Sequence, residues 1–203
     1  MPPSTDQRRH SPAAERNGPV ILTELQRLLP AQGILLEIAS GTGQHAALCA
    51  AGLPGWQWQP SDYDAAALTS IAAWCSGQDR VLPPIGLDVL SPEWFDIARQ
   101  FDAIYCANMI HISPWACTQA LLRGAARHLT PQGVLITYGP YLVDGVQTAP
   151  SNLAFDADLR ARNRAWGLRR LSDVADQAAA VGLSLRETLN LPANNLLLVW
   201  ERG

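Results

Sequence analysis

Apolar side chains recur at helical spacing from Val20 onward, at Ile21, Leu22, Leu25, Leu28 and Leu29, and Pro30-Ala31-Gln32-Gly33 closes the run. A helix is expected over roughly 19–29. The short apolar run Ile34-Leu35-Leu36-Glu37-Ile38 then meets glycines at Gly41 and Gly43, ahead of an alanine-rich helical stretch at 44–52. This reads as strand, glycine turn and helix. The alternation continues with strand 56–61, helix 64–76, strand 84–89, helix 92–98, strand 102–107, helix 115–128 and strand 133–138. Strands alternating with helices imply right-handed crossovers and a parallel sheet covered on both faces. After Tyr138 the rhythm breaks, and about 30 residues rich in Gly, Asn, Asp and Arg precede a helix at 171–181, the pattern of a lid or binding loop. Ser184 to Leu191, the turn Pro192-Ala193-Asn194-Asn195 and Leu196 to Glu201 read as a closing β-hairpin. Met1 to Pro19 reads as a tail, or from Ser11-Pro12-Ala13-Ala14-Glu15 as a capped helix start. The expected division is therefore a tail or cap over 1–18 and one domain over 19–203, without internal repeats.

Composition narrows the function. The chain has 203 residues, 48% of them hydrophobic and 16% charged, which is too apolar for a disordered protein. A chain of this length buries roughly 70% of its unfolded surface and needs no staples. Cys49, Cys75, Cys106 and Cys117 form no CxxC pair and have no histidine at ligand spacing, so neither a metal site nor a secreted disulfide framework is expected. Reduced thiols in the cytoplasm are the expectation. All 15 basic residues are arginine, which removes Schiff-base, P-loop and protein-kinase lysine chemistry. A net charge of −3 gives no footprint for general nucleic-acid binding. No apolar run approaches the ~18 residues of a membrane span, and no signal-peptide core is visible.

The chemistry concentrates at the carboxyl ends of the first strands, where ligands of doubly wound sheets bind. In Glu37-Ile38-Ala39-Ser40-Gly41-Thr42-Gly43, the glycines would let backbone approach a ligand, and the next helix offers free N–H groups. A dinucleotide fingerprint needs a third glycine, which Gln44-His45-Ala46 lacks, and has no acid at the place of Glu37. This disfavours a nicotinamide-dependent oxidoreductase. Asp62 follows the second strand, where a carboxylate can accept from both ribose hydroxyls, and Asp88 follows the third. Acids at successive strand ends suit an adenosine with a cationic amino-acid tail better than a pyrophosphate.

These features resemble a class I S-adenosylmethionine (SAM) methyltransferase. More narrowly, the strings Ser11-Pro12-Ala13-Ala14-Glu15-Arg16-Asn17, Glu37 to His45, Gln59-Pro60-Ser61-Asp62, Ala107 to Trp115 and Tyr138-Gly139-Pro140 are similar to the family called domain of unknown function 938, which includes the animal methyltransferase-like 26 proteins. The resemblance covers almost the whole chain after Ser11. It implies an α/β fold, a doubly wound Rossmann-like seven-stranded sheet, mostly parallel with an antiparallel last strand. It also implies S-adenosyl-L-methionine as cofactor. Glu37 would then be cofactor-binding, Ala39, Gly41 and Gly43 would pass close to the methionine part, Asp62 would hold the ribose, Asp88 with Val89 would meet the adenine, and Asn108 would contact the cofactor's amino group. Ala39 stands where such loops usually carry their first glycine.

Methyl transfer from a sulfonium mainly requires an oriented acceptor and, for some acceptors, proton removal. His111, following the fourth strand, is the candidate base, with Asn108 beside it and Tyr138 near the sulfonium. Its alternative is a histidine that satisfies a turn. His45 is a lesser candidate, whereas His10 and His128 read as tail and helix surface. Tyr141, Asn152 and Phe155 are expected to wall an acceptor pocket, and Asn194 and Asn195 to reach it from the hairpin. The asparagines also suit the left-handed geometry of tight turns. Arg160, Arg162, Arg164, Arg169 and Arg170, preceded by Asp156 and Asp158, match a solvated helix, with an anion-binding lid as the alternative. Trp74 and Trp200 are expected in the core. The expected activity is a SAM-dependent methyl transfer (EC 2.1.1 class) to a small-molecule acceptor; a non-catalytic SAM-binding protein remains the alternative, and the oligomeric state stays open.

Overall fold

A computed structural model of the chain describes residues 7–96 and 98–203. The expected tail residues Pro2, Pro3 and Ser4 lie outside the described residues. The chain divides into two compact units, one ending at Asp88 and the other beginning at Val89.

The first unit opens with helix α1 (Pro12–Leu28), whose N-cap is Ser11, accepting from Ala14 N–H through its hydroxyl. The helix runs through Pro19 rather than starting beside it. Proline in a helix interior removes a bond to the preceding turn, so Pro19, the eighth residue of α1, has no N–H to give Glu15 O. Ile21 and Leu25 are its buried contacts. Strand β1 (Gly33–Ile38), helix α2 (Gln44–Gly52), strand β2 (Trp56–Asp62) and helix α3 (Ala65–Trp74) follow. β1 and β2 pair in parallel, from Gly33 opposite Trp56 to Glu37 opposite Pro60. Strand β3 shrinks to Ile85–Gly86, much shorter than the expected 84–89. Pro83 and Pro84 have no N–H to give a ladder before it, and the paired residues are Ser61 with Ile85 and Asp62 with Gly86.

In the second unit β4 (Phe101–Ala107) lies parallel to β5 (Leu129–Gly139), with helix α4 (Trp115–His128) between them in sequence. The expected helix 92–98 is not formed by its described residues; position 97 lies outside them. Trp94 packs on Gly124, where an added Cβ would meet its ring at 2.2 Å, and its indole donates to Val89 O. Asp96 caps the N–H of Ala98 through its side chain. Such local bonds compete with helix formation.

The long segment after β5 is structured. It contains β6 (Tyr141–Leu142), helix α5 (Pro150–Arg162) and β7 (Arg169–Arg170), β6 and β7 forming a small parallel pair. Helix α6 (Leu171–Ala179) then leads to the hairpin β8 (Leu183–Leu191) and β9 (Asn195–Arg202). β9 runs antiparallel to both β5 and β8. The sheet has seven strands in the order β3-β2-β1-β4-β5-β9-β8, mostly parallel with its last strand reversed.

Trp56, Trp58 and Trp200 are among the largest fully buried side chains, each contributing on the order of 1.5–3 kcal/mol by burial. Trp74, by contrast, is only half-buried, donating to Arg9 O while the Arg8 guanidinium lies 5.3 Å from its ring. His128 is fully buried, its Nδ1 2.9 Å from Arg99 O and its ring between Trp94 and Phe95. The expectation of a surface histidine there is overturned because the last turn of α4 faces these aromatic rings. Among the described residues, no helix is long and apolar enough to cross a membrane.

Gly43 enters α2 with φ of 90°, and a Cβ on it would lie 2.6 Å from Ile71 Cα. A Gly43→Ala protein is therefore expected to lose roughly 1–3 kcal/mol from overpacking alone, more with the backbone strain. Urea unfolding of the two proteins checks this.

Candidate functional site

In the first unit the ends of β1 and β2 are laced together. Ser40 N–H donates to Ser61 O, Ser61 N–H donates to the Ser40 hydroxyl, and the Ser61 hydroxyl donates to Glu37 O. Beyond this lacing, Asp62 accepts from Gly41 N–H at 2.9 Å with one carboxylate oxygen and from Asp64 N–H at 3.0 Å with the other. An ionised carboxylate has about four lone-pair sites, so both oxygens retain capacity for a ligand. Ala39, Gly41 and Gly43 all take left-handed backbone conformations, with φ of 56°, 59° and 90°. At Ala39 this is a strained geometry for a residue with a Cβ. A Cβ on Gly41 would meet nothing nearer than Ala39 O at 4.0 Å. Gly41 thus leaves open space over an exposed backbone, whereas Gly43 serves close packing on Ile71. Tyr63, directly after Asp62, is 79% exposed. Asp88 is exposed at the end of this unit.

Glu37 does not present itself to a ligand. Its carboxyl is buried and accepts from the Trp58 indole at 2.8 Å. Burial pushes it up to about 7 and the neighbouring Asp62 charge adds to the rise, while hydrogen bonds from Trp58 and Ser40 restrain it. His45 is likewise buried and bonded to the Asn17 side chain at 2.7 Å, with burial lowering it to about 4. The N-terminal segment clasps the same turn: Ser11 N–H donates to Gln44 Oε1, which also accepts from the Thr42 hydroxyl. Arg9 N–H donates to Ser70 Oγ, which in turn donates to Thr42 O.

In the second unit Asn108 follows β4 in a left-handed conformation with φ of 61°, its N–H donating to Tyr138 O. A single 3-10 turn, Met109–His111, comes next. Arg169 donates to the carbonyls of Ile110 and Ser113, and Gly167 N–H donates to His111 O. Arg169 is therefore not on a solvated helix: it closes this turn, with its guanidinium 5.7 Å from the Trp115 ring. Of the arginine cluster, Arg160 and Arg162 do lie on a helix, paired with Asp156 and Asp158.

His111 is fully buried, and among the described residues neither ring nitrogen has a hydrogen-bond partner. Its ring meets Tyr141 edge-on at 4.9 Å, and a Cβ on Gly139 would sit 2.4 Å from its Nε2. Burial and the Arg169 charge lower its pKa to about 3, against a smaller opposing effect of Asp156. Enclosed by Gly139 and Tyr141 and out of reach of solvent, the His111 ring forms a packed shelf with them in place of the base facing the site that was expected. Tyr138 is buried within β5, opposite Leu197.

Four of the five residues expected around an acceptor do converge. Tyr141, Asn152, Asn194 and Asn195 line one cavity of about 220 Å³, together with Gln147 and Asn190. Tyr141 donates its hydroxyl to Thr137 Oγ1, and Asn152 donates to Asn194 O. Phe155 lies on α5 outside this lining and is partly exposed. Asn194 also takes φ of 55°, so its turn-forming role and its place at the cavity coexist. Gln147 and Asn190 were missed, since nothing in the local sequence marks either one.

Val89, expected near the adenine, is buried and lines a separate small cavity of about 110 Å³ against α4 with Trp94 and Gly124.

The strand order and the reversed final strand define a Rossmann-like methyltransferase fold. The pyocyanin biosynthetic protein PhzM superimposes with a TM-score of 0.76 at 18% identity, over 96% of this chain and 60% of its own. The mitomycin 7-O-methyltransferase MmcR gives 0.75 at 18%, over 91% and 54%. Human N-acetylserotonin methyltransferase, solved in complex with SAM, gives 0.75 at 14%, over 94% and 53%. The chain thus spans little more than half the length of these proteins, and the likeness is one of fold. At the level of sequence, the model of the family described as "Protein of unknown function (DUF938)" matches residues 8–202, and the chain belongs to that family.

The buried Glu37 carboxyl generates a pH prediction. Its folded pKa of about 7 lies above the ordinary 4.5, so the folded state binds more protons between those values. The stability this contributes is complete below 4.5 and lost as pH rises through about 7. Because His45 and His111 shift the opposite way, the difference between the wild type and Glu37→Gln isolates the effect. That difference is expected to move against the wild type as pH rises, measured by denaturant unfolding across the range.

Proposed function

We propose that this protein is a SAM-dependent methyltransferase acting on a small-molecule acceptor in the cytoplasm, where its four buried free cysteines stay reduced. The observation that carries the reading is the clamp of Asp62, at the end of β2, on Gly41 N–H, which holds a left-handed turn open at the carboxyl end of β1. The residues present fit the cofactor: Gly41 has room above it, and the Asp62 oxygens keep free lone pairs. Asp62 would bind the ribose hydroxyls and the 39–43 backbone the methionine part, while Asp88 would meet the adenine and Asn108 the amino group. Ala39 narrows the turn by one methyl relative to glycine. When bound, SAM supplies a sulfonium methyl that needs no further activation.

The chain's own contribution is then orientation and water exclusion, which supply most of what a displacement at an activated carbon requires. Tyr141, Asn152, Asn194 and Asn195 would hold the acceptor. Neutral His111 would support that wall through Tyr141 rather than move a proton. The buried His111 also favours a second reading, a SAM-binding protein without turnover; incorporation of labelled methyl groups separates the two.

S-adenosylhomocysteine is expected to bind in the micromolar range, about −7 to −8 kcal/mol, with NAD not bound. Asp62→Ala should weaken it at least tenfold, since each lost charge-assisted bond costs roughly 1.5–3 kcal/mol. Asp62→Asn, which keeps an acceptor for Gly41, controls for collapse of the turn. Calorimetry on the folded proteins decides; no heat from S-adenosylhomocysteine with the wild type refutes the reading.

A further inference from the structure

The acceptor cavity of the second unit has an unusual polar character. Its apolar body comes from the Tyr141 ring, Leu191, Leu196 and Val146, the last 62% exposed at the rim. Its polar side chains are the carboxamides of Gln147, Asn152, Asn190, Asn194 and Asn195, with the Thr148 hydroxyl beside them. Gln147 and Asn190 make no side-chain hydrogen bond to any described residue, and the Asn152 carbonyl oxygen accepts from none. Among the described residues, no Asp, Glu, His or Arg lines it. The nearest acid in sequence, Asp144, is tied to Arg170 and Ser172. The Tyr141 hydroxyl is given to Thr137, and burial raises it above the ordinary phenol range.

We propose that this cavity takes an uncharged acceptor bearing a carboxamide, lactam or similar edge that both donates and accepts hydrogen bonds. The word acceptor rests on the methyltransferase reading; the binding does not. A carboxylate, phosphate or ammonium entering the cavity would shed hydration and meet no opposite charge. An amide edge would instead meet groups of its own kind, each carboxamide offering one acceptor oxygen and two donor hydrogens. The free side chains of Gln147 and Asn190 pair with that edge, and the apolar body covers the rest of the molecule. A site built to hydrogen-bond a ligand discriminates strongly against one that leaves its polar groups unpaired.

The test compares benzamide, benzoate and benzylamine, matched in shape and differing in charge, by ligand-observed NMR on the full chain without cofactor. Fragments of this size bind on the order of millimolar. Benzamide is expected to bind about tenfold more tightly than either charged analogue. Asn190→Asp, at an exposed position and checked for folding by its own NMR spectrum, is expected to weaken benzamide and strengthen benzylamine. Equal or tighter binding of benzoate, no binding by any of the three at about 10 mM, or a preference unmoved by Asn190→Asp would overturn the proposal. Benzamide binding to a protein that ignores S-adenosylhomocysteine would sink the methyltransferase reading alone. S-adenosylhomocysteine binding alongside a preference for benzoate would sink only the cavity's assignment.

Discussion

One carboxylate organises the first unit. Asp62 sits at the end of β2, and its two oxygens take N–H groups from two different segments, Gly41 in the turn after β1 and Asp64 at the entry to α3. Asp64, so placed, caps α3 by accepting from Ala66 N–H. The turn, the helix start and the strand end are therefore one hydrogen-bonded assembly. The same acid that would hold a ribose also fixes the backbone beside it. Ser40 and Ser61 add reciprocal bonds beneath, and the buried Glu37–Trp58 bond anchors the floor. A left-handed Ala39 is sustained only because the surroundings over-determine it.

The second unit solves a similar problem with a cation. The turn after β4 leaves the carbonyls of Ile110 and Ser113 without strand partners, and the Arg169 guanidinium, brought back by the chain after α5, satisfies both. Its planar fork suits several carbonyls at once, which an ammonium would not match. His111 is buried beside this closure, and burial, with the Arg169 charge adding to it, keeps its ring neutral. The shelf it forms with Gly139 and Tyr141 backs the carboxamide-lined cavity.

Much of this was legible in the sequence where local pattern and tertiary demand coincide. The apolar run before Gly41, the hairpin around Pro192 and the parallel alternation all appear as expected, because periodicity there reports burial directly. Helix α5 was legible only as an acid-to-base charge pattern inside what otherwise reads as a loop. The expected helix at 92–98 failed where Trp94 and Asp96 found tertiary and local partners that periodicity does not encode. Glu37 and His111 illustrate the same limit at the site: their chemistry and position suggest ligand contact, but only the packing of Trp58, Gly139 and Tyr141 decides that both turn inward. Gln147 and Asn190 carry no local signal, since a carboxamide on a loop looks the same whether it faces a cavity or water.

The central claim, that the turn held by Asp62 is a cofactor cradle, is tested most directly by backbone amide NMR during titration with S-adenosylhomocysteine. The largest shift changes are predicted at Gly41, Thr42 and Asp62, with those residues saturating together at one affinity. Uniformly small changes there, or saturation confined to residues elsewhere, would contradict it.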